Sequence, residues 1–332
     1  MKVSENWCTN LRTVAMFMVI ALHASGLWQY GAINTLNWNM ANVVNSFSRP
    51  AVPFFFMITG YLLCTSNPLP FMQYMRKRFY RIVPLFILVT LFSILYRTLR
   101  GESIPVNVLW QMLYTPQFYH LWFFYAISIV YLALWLFKPS SNSPVAGALG
   151  CMALIFIIGG SLAQFISSWA IRMETVSAYF FYAMAGYYIG QIPKYRFAPV
   201  VSILFGIMCL AFVAVATKRL SLQSGVTNQL WYEYTSMPVV LGSLSLFYGL
   251  RYFLDLYTPS KLVEYLSAAS LFVYCFHPFI IDAGHAIFPH LFIWNSAVIG
   301  IFSVVVICVF LLTTIYTLWS FFISAIKTKG SA

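Results

Sequence analysis

Two ionisable side chains stand at either end of one apolar stretch near the start of the chain, Arg12 within Asn10-Leu11-Arg12, and His23. The ten residues between them carry no charge and no helix breaker, so the spacing predicts a helix. Eleven steps of about 100° return His23 to within about 20° of the face of Arg12, roughly 16 Å further along the axis. One face then offers a guanidinium at one depth and an imidazole at another. An imidazole is the usual general base near neutral pH, and a fixed cation suits an anionic substrate group.

Other candidates follow the same logic. His120, in Phe118-Tyr119-His120-Leu121-Trp122, opens a later apolar run at a depth similar to that of His23, with aromatic rings beside it. Arg78 and Arg81 are three residues apart and share a helix face, where guanidinium forks can grip phosphate oxygens. Arg49, in Ser46-Phe47-Ser48-Arg49-Pro50, is expected at the outer end of the second span, facing a polar acceptor or serving as an interfacial anchor. Thr59-Gly60 reads as a close helix contact. His277-Pro278 falls near mid-membrane, and Asp282 with His285 share a face nearer the outer boundary, read chiefly as a structural pair. There is no serine nucleophile elbow, phosphate loop or metal-ligand spacing.

The elements that must position these residues are membrane helices. Of 332 residues 61% are hydrophobic and 8% charged, which excludes an ordinary soluble domain. Apolar runs of about 17–25 residues recur along the whole length, each long enough to cross a hydrocarbon core. The reading is all-α: a single polytopic domain over residues 1–332, with about ten spans near 9–28, 39–64, 79–99, 119–137, 145–166, 176–191, 198–217, 231–253, 265–288 and 294–323. Arg12 interrupts the first run and no small-residue cleavage site follows Gly26, so the first span is expected to stay uncleaved. The net charge of +12 reflects topology. Eleven loop or juxtamembrane Lys and Arg, among them Arg76-Lys77-Arg78 and Lys194, fall on one side. Arg100, Arg172, Lys218 and Arg219 fall on the other, which places both termini in the cytoplasm. The external connection 100–118 is expected to cap an outer cavity. His290 reads as a loop residue, and the six scattered cysteines as core residues.

Arg12-x10-His23, Phe55-Phe56-Met57-Ile58-Thr59-Gly60-Tyr61-Leu62, Arg78-x-x-Arg81 and His120-Leu121-Trp122-Phe123, in this order, resemble the signatures of the integral membrane acyltransferase 3 family. Asn45-Ser46-x-Ser48-Arg49, leading into Val52-Pro53, is similar to the type that O-acetylates the enterobacterial common antigen. Thr59 departs from the Ser usual in the family, and the esterase-like domain that larger members carry after the last span is not expected here.

The resemblance implies a multi-pass protein of the bacterial inner membrane that moves an acetyl group from cytoplasmic acetyl-CoA to a hydroxyl of a cell-surface or lipid-linked glycan. His23, Arg12 and His120 would be catalytic, and Arg12, Arg78 and Arg81 would hold the CoA phosphates. Arg49, Tyr119 and Trp122 would meet the acceptor. The expected partners are acyl-CoA, the glycan and membrane lipids, with no nucleic acid and no metal. A competing reading is a transporter or flippase of a lipid-linked glycan, its arginines binding the diphosphate. A third keeps acyl transfer and changes the acceptor to a lipid, a peptidoglycan sugar or a small metabolite.

Overall fold

Asn6–Gln29 forms α1, a 24-residue helix long enough to cross the bilayer without a proline or an internal glycine before Gly26. The structure, a computed structural model, describes residues 6–137, 173–289 and 296–329. Among these residues it is all-helical, with eight helices long and apolar enough to span a membrane. The expected fifth span, 145–166, and His290 lie outside the described residues.

The chain divides into two compact units, Met1–Phe54 with Lys194–Ala332, and Phe55–Pro193. In the first unit α1 packs against α2 (Leu36–Ser48), α9 (Met237–Asp255), α10 (Lys261–Ile287) and α11 (Ala297–Lys329). α8 (Ala198–Ser224) lies along α9. Hydroxyl side chains cap two of these helices: Thr35 accepts from Trp38 N and Ser260 from Val263 N, meeting donors that have no partner inside the helix. Leu11, Ala15, Ile20 and Ala24 on α1 are fully buried.

The second expected span, 39–64, is present with a break inside it. α2 ends at Ser48 and α3 (Ala51–Thr65) begins after Arg49-Pro50. Pro50 and Pro53 have no N–H, so the carbonyls of Ser46 and Arg49 lose their helical donors. Arg49 N takes the Ser46 carbonyl instead, at 3.3 Å. Arg49 therefore sits near the middle of the Leu36–Thr65 span and not at its outer end.

The second unit holds most of α3, α4 (Phe71–Leu99), the short α5 (Val108–Gln111), α6 (Trp122–Leu136) and α7 (Met173–Gln191). α4 starts eight residues before the expected 79, directly after Pro68 and Pro70. Arg76, Lys77 and Arg78 are thus helical and not part of the turn. α3 and α7 cross closely: a Cβ built on Gly60 would lie 1.8 Å from the Ala183 carbonyl oxygen, and one on Gly186 2.1 Å from that of Met57. Only hydrogen fits at either place, which is the packing role expected of Thr59-Gly60.

Candidate active site at the first and tenth helices

α1 and α10 run parallel in the first unit. Thr13 Oγ1 donates to the Val263 carbonyl at 3.3 Å, and further along both helices His23 meets His277. His23 is seventeen residues past the start of α1 and His277 sixteen past the start of α10, so the two rings arrive at one depth. His23 Nδ1 lies 2.7 Å from His277 Nε2.

The sequence around His277 fixes its ring. Pro278 has no N–H, which releases the carbonyl of Tyr274 from its helical donor. His277 Nδ1 lies 2.9 Å from that oxygen and 3.1 Å from the Val273 carbonyl. A carbonyl can only accept, so the proton of His277 is on Nδ1 and, in the neutral ring, Nε2 is an acceptor. His23 must then donate from Nδ1, which leaves the lone pair of His23 on Nε2. His277 is fully buried and His23 half-buried. The pair therefore presents one basic nitrogen, oriented by a partner that is itself fixed to the backbone. In this arrangement His277 and two carbonyls do the orienting that a carboxylate does in many base–imidazole pairs.

Arg12 is half-buried on the same face of α1 as His23, as the spacing requires. The start of that helix is tied down by Asn10, whose Nδ2 donates to the carbonyls of Leu254 and Tyr257, each at 2.8 Å.

Arg49 belongs to a different flank of α1. Its Nε donates to Asn45 Oδ1 at 2.8 Å and its Nη2 to the same oxygen, and its guanidinium lies over the Tyr232 ring at 4.2 Å. Asn45 in turn donates to Ser25 Oγ at 2.8 Å. Gln29 donates to the Tyr232 hydroxyl at 2.9 Å, and that hydroxyl donates to Asn42 Oδ1 at 2.5 Å. Ser25 and Gln29 are two and six residues past His23, about 200° and 240° round the helix, so this network and the histidine pair flank α1 on opposite sides. Inside a bilayer each unmade hydrogen bond costs several kcal/mol, so a connected set of amides and a phenol is what lets the cation stay there.

In the second unit Arg78 is half-buried over the Tyr74 ring at 5.4 Å, and its Nε is buried with no hydrogen-bond partner among the described residues. Arg81, one turn on, is exposed. A buried guanidinium N–H left open beside a second arginine fits a phosphate oxygen. His120 is fully buried on a 3₁₀ turn, Tyr119–Leu121, its ring against Phe118 and Tyr119 with centroids 5.7 and 5.6 Å away. Trp122 stacks on Tyr179 at 5.1 Å, so one of its faces is used in packing. Tyr119 is 55% exposed.

His277 was expected only near mid-membrane; its pairing with His23 is what the sequence did not show. A signal was present: nearly equal counts, seventeen and sixteen residues, from the starts of two helices, and a proline directly after the second histidine. Asp282 and His285 lie near the end of α10, beyond the depth of the pair.

Among curated proteins the chain is similar to an "Amino-acid racemase" of Enterococcus faecalis, 25% identical over 343 aligned positions that cover 94% of this chain and 46% of the relative. It is also similar to a "Serine/alanine racemase" of Enterococcus gallinarum, 33% identical over 127 positions, 35% of this chain and 17% of that protein. The chain thus spans less than half the length of either relative. No solved structure matches it. The acyltransferase domain family Acyl_transf_3 matches residues 5–320, nearly the whole chain, and with Arg12, His23, Arg78 and Arg81 all inside that match, the protein belongs to this family of acyltransferases.

Proposed function

We propose that this membrane acyltransferase carries an acetyl group from cytoplasmic acetyl-CoA to a hydroxyl of a cell-surface or lipid-linked glycan. The observation that supports it best is the His23–His277 pair, which leaves one basic nitrogen on the helix face that also bears Arg12. In this reading His23 Nε2 takes the proton of the acceptor hydroxyl as its oxygen attacks the thioester carbonyl. The C–S bond then breaks and the CoA thiolate takes the proton back, giving ester and free thiol. If His23 instead attacks the thioester itself, Nε2 is still the nitrogen that reacts, with acyl-imidazole as the intermediate. Arg78 and Arg81 are the proposed phosphate ligands. Arg49, Tyr119 and Trp122 are proposed acceptor contacts, and His120 a proposed catalytic residue.

The racemase names of the two relatives belong to proteins more than twice as long as the matched portion, and amino-acid handling is the competing reading that they raise. Mass spectrometry separates the cases. Surface glycans, lipids and amino-acid pools are compared between cells making the wild type and His23→Ala at matched membrane levels. An acetyl increment on a glycan, present with the wild type and lost in the variant, supports the proposal. An increment that survives in the variant removes the base role. No increment in any fraction turns the reading to transport or to amino acids.

A further inference from the structure

The connection after α4 lines an open cleft of about 470 Å³, part polar and part apolar, within the second unit. Gly101, with φ of +80°, turns the chain back as α4 ends, and Glu102 N donates to the Arg97 carbonyl at 3.0 Å. That turn brings Glu102 onto Arg97, whose Nε donates to Glu102 Oε2 at 2.7 Å. Arg97 Nη1 reaches Gln117 Oε1 at 3.3 Å, and Gln117 Nε2 donates to the Thr115 carbonyl at 3.1 Å. Arg97, Glu102, Gln111, Gln117, Phe118 and Tyr119 line the space.

We infer that this cleft is a carbohydrate subsite that takes one neutral, hydroxyl-rich sugar ring of the acceptor, an inference that rests on the acyl-transfer reading. Its size falls within the range of ordinary small-ligand clefts. A carboxylate, a guanidinium and the Gln117 amide held to one another, with the Gln111 amide beside them donating to Asn107 Oδ1 at 3.0 Å, offer acceptors and donors of the kind that neighbouring ring hydroxyls can satisfy. Tyr119, more than half exposed, supplies a flat face for the C–H side of a pyranose and stands against His120. Charge narrows the class further. The guanidinium already faces Glu102, so an anionic sugar finds no open cation, and a lipid chain would strand two charges and two amides against hydrocarbon. Loop locking alone is a poor account of the ion pair. With Glu102 52% exposed such a pair holds little stability, and backbone hydrogen bonds already close the turn. Glu102 is also one of only seven acidic residues in the chain.

The test is saturation-transfer NMR on the full chain in nanodiscs with methyl glucoside, methyl N-acetylglucosaminide and methyl glucuronide, for wild type, Glu102→Gln and Tyr119→Ala. The expected result is transfer to a neutral glycoside and not to the glucuronide, weakened about tenfold in each variant that still elutes as a folded particle. Gln111→Ala serves as the third variant should either of the others fail to fold. The inference is overturned if no neutral glycoside shows transfer, if the glucuronide is preferred, or if transfer is equal in all folded variants. Acyl transfer to a glycan with no such binding removes the subsite alone. Binding that the variants lose, in cells with no acylated product, removes the transferase reading and leaves the subsite.

Discussion

Replacing His277 separates orientation from chemistry at His23. His277→Leu removes the acceptor of the His23 Nδ1 proton while keeping volume near that of the imidazole, and returns the Tyr274 carbonyl to an unsatisfied state. A polar group left without its partner loses about 1–3 kcal/mol, and the His23 proton is then free to move to Nε2, the nitrogen that must stay unprotonated. At 1.4 kcal/mol for each factor of ten, this predicts a fall in kcat of roughly 10- to 100-fold. His277→Gln still offers a carbonyl oxygen to Nδ1, so its loss should stay within about tenfold. His23→Ala removes the proposed base and should cost the full contribution of general base catalysis, about 10²- to 10⁴-fold. The assay is release of free thiol from acetyl-CoA by purified protein in nanodiscs, with and without the acylated glycan fraction as acceptor. The acetyl-CoA KM should hardly change in any of the three. A leucine variant as active as the wild type, or a glutamine variant as impaired as the leucine one, would refute the orientation argument.

Four further outcomes are expected. Pro278→Ala restores an N–H that competes for the Tyr274 carbonyl, so kcat should fall a few-fold while the thermal midpoint rises. Gly60→Ala places a methyl group 1.8 Å from the Ala183 oxygen, an overpacking of roughly 1–3 kcal/mol or more, read as a midpoint lowered by roughly 2–12 °C in detergent. Arg78→Ala should raise the acetyl-CoA KM by about tenfold or more with little change in kcat, and the KM should rise with salt less steeply in the variant, which keeps Arg81, than in the wild type. Arg49→Lys keeps the charge but loses the two-pronged hold on Asn45, and should raise the acceptor KM by about tenfold while the acetyl-CoA KM holds.

Much of this could be read from residue order. Arg12 and His23 on one face needed only the helical period, and the uninterrupted apolar runs gave most span limits within a few residues. The close contact at Thr59-Gly60 followed from the absence of a side chain. What escaped was long-range pairing. His277 lies 254 residues from His23, and nothing local states that α10 packs beside α1 in parallel. The break at Arg49-Pro50 was also missed: an arginine among apolar residues was read as a boundary marker, although Pro50 and Pro53 together release the carbonyls that bend the span. The early start of α4 was obscured because a basic cluster following two prolines has the composition of a loop. The polar network of Asn42, Asn45, Gln29 and Tyr232 was invisible for a different reason, since amides and phenols spread over three elements show no periodicity until the fold brings them together.

The distance along the chain between the paired histidines has a consequence for biosynthesis. α1 emerges first and must wait in the membrane, with His23 unoriented, until α10 is made. At about 5–20 residues per second the ribosome needs roughly 13–50 s to bridge the 254 residues. Throughout that interval, and in every truncated product that ends before residue 277, the imidazole that would react with a thioester lacks the partner that sets its proton. On the proposed mechanism, a fragment that ends before residue 277 holds His23 without its orienting partner and would not turn over acyl donor as the full chain does.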